Sequence, residues 1–312
     1  MDARIAKVNI MKINKIKNLS NELKSQLKFD YDLKKKNWFN IGGKAKVYFK
    51  ADTLQDLIIL LKTIDKKDKI FVLGAGSNTL ITDNVYDGIV IKLGKNFSNI
   101  SLLPNGVIIA GSAVIDKKLS EFALENEIGN FEFLSCIPGT VGGGLRMNAG
   151  CFNSEFKDIL VSVQAINKNG DILTISSKDI LFKYRENNLS EDLIFLSASF
   201  KGIKKTRLEI DQKIIELKEL KEKTQPTKIK TSGSTFKNPV NLTDKKVWEL
   251  IKESVSSDVS FGDAHISKKH CNFFVNKGNA TFSDMKKLIN FVTDKVEKKT
   301  GIKLQTEIKI LE

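Results

Sequence analysis

The stretch FLSCIPGTVGGGLRMNAG, residues 133–150, holds one proline, five glycines and an arginine in a chain whose 51 basic residues are otherwise nearly all lysine. Pro138-Gly139 and Gly142-Gly143-Gly144 give two places where main chain can approach a flat ligand with no side chain in the way. Close strand packing or a bulge uses glycine in the same manner. A second glycine turn, VLGAGSN at 72–78, follows a strand-like run. It does not fit a dinucleotide-binding helix start. Gly74 and Gly76 are followed by Thr79 with no third glycine, and Lys95 or Asn96 stands where the ribose-binding acid would. Asp83, Asn84 and Asp87-Gly88 interrupt any helix, so this loop joins strand to strand. Its backbone N–H groups form either a plain tight turn or an anion-binding nest to which Ser77 and Asn78 add donors. Two such segments in one chain point to a fold that grips a single extended ligand.

The flanking pattern supplies the scaffold. AKVYFKA (45–51), the run before Gly74, GIVIKL (88–93) and VIIAGSAV (107–114) are apolar and of strand length. TLQDLIILLKTID predicts a helix opened by a capping box of Thr53 and Asp56. DKKLSEFALENEIG predicts a second, with Leu119, Phe122 and Ala123 on one face and Gly129 as its stop. VSVQAINKNGDILTI (161–175) reads as a hairpin about Asn169-Gly170, and LIFLSASFKG (193–202) resumes extended structure. A helix at about 207–223 carries Ile210, Ile214 and Leu217 and stops before Pro226. Beyond it come a helix VWELIKES, an extended run CNFFVN, and a helix after Thr281 with Met285, Leu288, Val292 and Val296 inward. Gly301 ends that helix, and KLQTEIKIL alternates as a last strand.

At 312 residues the chain exceeds one typical domain, so two or three packed units are expected. No apolar run approaches the ~18–20 residues of a membrane span, and the basic N-terminal stretch lacks a continuous apolar segment with a cleavage site. A cytoplasmic protein without membrane contact is expected. Cys136, Cys151 and Cys271 are odd in number and lack CxxC spacing, which suggests neither a disulfide framework nor a metal site. A net charge of +14 raises the question of nucleic acid. Its lysines are scattered along the whole chain with no nucleic-acid-binding motif beside them, so no nucleic-acid partner is expected. The same positive field favours anionic small molecules such as phosphorylated nucleotides.

Seven ordered segments carry a resemblance: WFNIGGKA (38–45), VLGAGSNTLITD (72–83), IPGTVGGGLRMNAG (137–150), YRENN (184–188), GSTFKNP (233–239), SKKHCNFFVN (267–276) and LQTEIKIL (304–311). Together the chain resembles the UDP-N-acetylenolpyruvoylglucosamine reductase (MurB) family, flavoenzymes of bacterial peptidoglycan precursor synthesis and hence of cell-wall biogenesis, cell shape and division. The resemblance implies an α+β fold: a PCMH-type (vanillyl-alcohol-oxidase-like) FAD-binding fold of two subdomains plus an α+β substrate-binding domain. The boundaries then fall at 1–30 for an N-terminal extension, 31–95 for the first FAD-binding subdomain (completed by 303–312), 96–206 for the second and 207–302 for the substrate-binding domain. It implies FAD, with NADPH as co-substrate and a UDP-linked enolpyruvyl amino sugar as substrate. His265 and His270 lie outside the cofactor loops, so the FAD is expected to be non-covalent, and both histidines read as structural. A monomer is expected.

Residue by residue, the resemblance assigns FAD contacts to Gly74, Gly76, Ser77, Asn78, Pro138, Gly139, Thr140, Gly142, Gly143 and Asn148. Catalysis falls on Arg185, Ser234 and Glu307, and substrate contacts on Tyr184, Lys237 and Asn238. The implied substrate conjugates a carboxylate with a double bond, so hydride addition at the terminal carbon accumulates charge on the carboxylate. A planar, permanently charged guanidinium suits that group better than an ammonium does. Ser234 would donate the completing proton, and Glu307 would assist either as a hydrogen-bonding acid or through a water relay. Arg146 allows two readings, a bond to nearby carbonyls or a ligand contact. Asn187 departs from the family's usual serine, and Cys151-Phe152-Asn153 from its GAYG-like sequence. The short stretch between Arg185 and Ser234 matches the subclass that lacks an inserted tyrosine-bearing loop. Two rival readings fit part of the sequence: another PCMH-type flavoprotein acting as an oxidase, which accounts for the FAD loops but not for GSTFKNP and LQTEIKIL together, and a basic nucleic-acid or surface-binding protein, which accounts for the charge alone.

Overall fold

The computed structural model describes residues 15–20 and 22–312. Arg4 and much of the extension expected at 1–30 lie outside the described residues. Contacts divide the chain into two compact units. One is formed by the described residues up to Phe29 with Lys46–Gly74 and Asp87–Asp211, the other by Asp30–Ala45, Ala75–Tyr86 and Gln212–Glu312. Among the described residues no helix is long and apolar enough to cross a membrane.

The first unit is built on two sheets. A five-stranded antiparallel sheet runs in the order Ile172–Ser176, Leu160–Ile166, Ile194–Lys201, Val107–Gly111, Ile100–Leu102. The expected hairpin is its edge, with Ile166 opposite Ile172. Gly170 takes φ 86° there, and Asn167 Oδ1 accepts from the N–H groups of Asn169 and Asp171. A four-stranded sheet orders Gln26–Asp32, Lys44–Ala51, Tyr86–Leu93 and Ile70–Val72, the last pair parallel. Against it packs the helix Leu54–Thr63, whose Leu57, Leu60 and Leu61 join Val47, Phe49, Ile89 and Ile91 in one core together with Ile16 and Leu19.

Two local expectations are corrected in this unit. Thr53 caps its helix through a bond from Asp56 N (3.1 Å), but the capping box is only half formed. The Asp56 carboxylate instead accepts from Ser25 N (2.9 Å) and Ser25 Oγ (2.6 Å), a buried pairing that sequence periodicity does not register. The second helix spans Asp116–Glu125 and stops short of Gly129. The main chain leaves it at Glu127, in the left-handed region at φ 55°, and Ile128–Gly129 then pairs antiparallel with Ile203–Lys204.

The second unit packs the helices Val247–Ser254 and Phe282–Thr300 on a small sheet of Ser260–Phe261, Ala264–Ile266 and Phe274–Asn276. Thr281 and Asp284 form a full capping box, Met285, Leu288, Val292 and Val296 are buried, and Gly301 closes the helix at φ 74°. The helix Arg207–Thr224 buries Ile210, Ile214 and Leu217 as expected. Of KLQTEIKIL, only Lys309–Leu311 forms a ladder, parallel to Thr79–Ile81.

One side chain in this unit substitutes for a strand. Asn272, 3% exposed, accepts from Phe236 N at its Oδ1 (3.0 Å) and donates from Nδ2 to Phe236 O (2.9 Å), while its own carbonyl accepts from Thr235 N (2.8 Å). Phe236 lies edge-on to Phe274 at 5.7 Å between ring centroids, so the segment is held by both polar and apolar contacts. Asn272→Ala leaves the buried N–H and C=O of Phe236 unpaired. A loss on the order of 2–4 kcal/mol of unfolding free energy is expected, measured by denaturant titration.

Candidate active site

In the first unit the Pro138–Gly144 segment is stitched to the end of a strand and the start of a helix. Val141 N donates to Val114 O (2.9 Å), Gly142 N to Ser112 O (3.0 Å) and Asp116 N to Gly139 O (3.2 Å). Its glycines answer different demands. A Cβ on Gly139 would lie 2.5 Å from Asp116 Oδ2, too close to stand without a shift, and one on Gly142 would press at 3.0 Å on Ser112 Cβ. Gly143 is exposed, and a Cβ there would meet only Thr140 Oγ1, at 3.5 Å. Its missing side chain leaves an open face of backbone. The first glycine turn reaches the same place, since a Cβ on Gly74 would stand 2.7 Å from Thr140 Oγ1. Gly74 O also accepts from Lys92 Nζ (2.5 Å).

Asn148 is placed differently from its expected role as a cofactor contact. It is fully buried at φ 42°, and its carboxamide is committed to the protein. Nδ2 donates to Glu155 Oε2 (3.0 Å) and Lys183 O (3.2 Å), while Oδ1 accepts from Lys157 N (3.1 Å). Arg185, at φ 59°, donates from Nη2 to Gly150 O (2.7 Å), and its guanidinium lies 4.8 Å from the Tyr184 ring centroid. Arg146 resolves to the first of its two readings. It donates to the carbonyls of Leu189, Ser190 and Leu193 and stacks on Phe195 at 4.2 Å, clipping a loop. Asn187 donates to Leu145 O and Arg146 O, a framework role for the residue that departs from the family pattern.

The second unit holds Gly76, Ser77, Asn78, Ser234, Lys237, Asn238 and Glu307. Gly76 takes φ 70° and presses on Lys36 O, where no Cβ fits. Asn78 Nδ2 donates to Glu307 O (3.0 Å), and Glu307 N donates to Thr235 O (2.8 Å). The end of the first glycine loop, Glu307 and the residue next to Ser234 are thus brought together. Ser234 follows Gly233 at φ 76° and pairs in an isolated bridge with Phe273. Lys237 N donates to Gln305 O, and Asn238 Oδ1 accepts from Val247 N (3.0 Å), capping the helix it precedes. His270 stacks edge-on against Phe273 at 4.8 Å and accepts from Asn272 N. Burial lowers its pKa, and lowers that of His265 together with nearby Lys277, so both favour the neutral form.

Residues 45–176 match an FAD binding domain, and residues 225–311 match the C-terminal domain of UDP-N-acetylenolpyruvoylglucosamine reductase. The UDP-N-acetylenolpyruvoylglucosamine reductase of Pelagibacter ubique is 69% identical over 301 residues, 96% of this chain and 100% of that protein. This chain belongs to the UDP-N-acetylenolpyruvoylglucosamine reductase family. A second member, from Rickettsia typhi, is 45% identical over 92% of this chain and 96% of its own length. The crystal structure of the reductase from Thermus caldophilus superposes with a TM-score of 0.80 at 26% identity, covering 93% of this chain and 99% of that one. The fold is therefore the α+β fold expected of the family.

The residues present fit the FAD that this family implies. The open backbone at Gly143 gives a flat cofactor a contact line without side-chain interference, and the close meeting of Gly74 with Thr140 brings the first glycine turn beside it. Beside them lie polar groups that the described residues leave unpartnered: Ser112 Oγ, both carboxyl oxygens of Asp116, and Ser120 Oγ one helical turn on. Sequence reasoning did not find these groups. An acid in the first turn of a helix reads as an ordinary dipole partner, and nothing in its spacing shows that Asp116 is fully buried.

That burial raises the Asp116 pKa well above the ordinary carboxyl value. The folded state therefore binds the proton more tightly than the unfolded chain, and the associated stability is complete below the unfolded pKa of about 4 and is lost as pH rises through the folded value. Asp116→Asn removes this dependence. The FAD-free variant should melt with the wild type near pH 4 and progressively above it as the pH is raised to 8. Thermal unfolding across that range checks the sign, and parallel curves would show a carboxyl that ionises freely.

Proposed function

We propose that this chain is an FAD-dependent reductase that converts UDP-N-acetylglucosamine enolpyruvate to UDP-N-acetylmuramate in peptidoglycan precursor synthesis, drawing its electrons from NADPH. One observation carries the reading beyond family membership. Glu307 N bonds to Thr235 O, so the two proton-bearing groups expected of the family, on Glu307 and Ser234, are carried by one pair of adjoining segments.

FAD held by the glycine segments would supply the hydride that the terminal carbon of the enolpyruvyl double bond takes up. Arg185 holds the substrate carboxylate, where negative charge grows as the double bond is reduced, and its fixed charge and planarity match that group. Ser234 Oγ gives up its proton to the carbon that bears the ether oxygen. The developing carbanion drives this transfer, so placement matters more than acidity. Glu307 assists as a hydrogen-bonding acid or through a water relay. Tyr184, Lys237 and Asn238 are the proposed substrate contacts. The ten glycine-segment residues, from Gly74 to Asn148, are proposed to form the cofactor site, Asn148 through its support of the loop.

The domain reading goes with this function. Residues 31–95, completed by 303–312, and 96–206 would form the two cofactor subdomains, supported by the separate four- and five-stranded sheets. Residues 207–302 would form the substrate domain. We further propose a monomeric, cytoplasmic protein.

The half-reactions test this directly. NADPH should bleach the flavin anaerobically, and the enolpyruvyl nucleotide should restore its colour. Ser234→Ala should leave flavin reduction and FAD content unchanged while slowing substrate-dependent reoxidation by about 10²–10⁴, read by stopped-flow absorbance. If the serine only shaped its turn, both phases would stay near wild type. Arg185→Lys should keep FAD yet lose on the order of 10²–10³ in turnover, since one ammonium cannot offer a planar two-pronged donor. Near-normal turnover would remove Arg185 from this role.

A further inference from the structure

A tight hairpin sits between the glycine segment and Arg185. Gly150–Cys151 pairs with Ser154–Glu155 across Phe152 and Asn153, both at positive φ. Left-handed φ at both positions is what a two-residue hairpin turn requires, and the turn presents the residue that ends its second strand. What it presents is Glu155. A Cβ on Gly150 would lie 2.7 Å from Glu155 Cγ and would also collide with Ser154 O, so the glycine lets the carboxylate cross over the hairpin.

The two oxygens of that carboxylate do different things. Oε2 makes close bonds to Lys157 Nζ (2.8 Å) and Asn148 Nδ2 (3.0 Å). Oε1 stands 3.6 Å from Arg185 Nη1, beyond hydrogen-bonding distance but inside strong Coulomb range, and both side chains are largely buried, at 19% and 15% exposure. Glu155 is therefore anchored by its neighbours and attracts the guanidinium through its second oxygen. Gly150 O, on the same hairpin, takes the Nη2 bond.

We propose that Glu155 is a positioning residue of the reductase: it sets the Arg185 guanidinium for the substrate carboxylate and, through Asn148, ties that setting to the glycine segment that grips the cofactor. An arginine free to rotate loses conformational entropy each time it captures substrate. One held in advance by Glu155, Gly150 O and the Tyr184 ring loses much less. The geometric tolerance is small, since misplacement of a reacting or orienting group by about 1 Å costs on the order of 10² in rate. The inference rests on the proposed role of Arg185.

Its test is a pair of variants, Glu155→Gln and Glu155→Ala, in the FAD-loaded enzyme. Flavin content and the rate of flavin reduction by NADPH should match wild type. Substrate-dependent reoxidation should slow by about 10-fold in the glutamine variant and by up to about 10² in the alanine variant, with the nucleotide concentration for half-maximal rate raised in both. Glu155→Asp should recover part of the loss. Wild-type reoxidation in both variants overturns the proposal. So does an equal loss in both half-reactions accompanied by loss of flavin, which marks Glu155 as scaffold alone. A wild-type enzyme that the nucleotide does not reoxidise overturns the proposed function and this inference with it, whereas an unimpaired Arg185→Lys control removes Arg185 from its role and overturns this inference alone.

Discussion

Residues 304–311 form a seam on which the second unit depends. On one side Lys309–Leu311 runs parallel to Thr79–Ile81, with Lys309 N bonded to Asn78 O and Thr82 N to Leu311 O. On the other, Lys237 N bonds to Gln305 O, Phe236 bridges Thr306, and Glu307 N bonds to Thr235 O. The contact between Asn78 and Glu307 spans 229 residues of sequence. Loop-closure entropy grows only with the logarithm of length, so closing so long a loop adds little beyond closing a short one, and the apolar cluster around Phe236, Leu80 and Ile308 offsets it. Ser234 and Glu307 owe their neighbourhood to this seam.

The first unit shows the opposite economy. Around its glycine segment it buries hydroxyls and a carboxyl that the described residues leave unpartnered. Such groups lower stability in a protein interior. They are tolerated where a binding site needs polar capacity, and activity and stability commonly pull apart in this way. The net charge of +14 has no comparable bearing on the fold. Its lysines form exposed pairs such as Lys204 with Glu127 and Lys245 with Glu253, each contributing little.

Local signals in the sequence were legible because they act locally. The helix Phe282–Thr300 carries its own cap, stripe and glycine stop, and the hairpin about Asn169-Gly170 carries its own turn. GAGSN joins the strands Ile70–Val72 and Thr79–Ile81 for the same reason, since turn residues forbid a helix there. Where a residue's partner lies far along the chain, the pattern was silent. Asp56 turned to Ser25, Gly129 served a strand pairing instead of a helix end, and Asn148 supports Glu155 and Lys183 through its side chain. Glu155 itself sits just past the three residues that depart from the family's pattern, where sequence gave no reason to look.

The division of the chain into units has a consequence for how such a protein can be rearranged. The chain passes between them at 29/30, 45/46, 74/75, 86/87 and 211/212, so each unit is assembled from three separate segments. No single contiguous gene fragment encodes either one. A module of this kind cannot be exchanged between proteins as a cassette: a graft of residues 212–312 alone would arrive without the strand Thr79–Ile81 that its own Lys309–Leu311 requires. The two units are interleaved along the gene, and no single cut separates them.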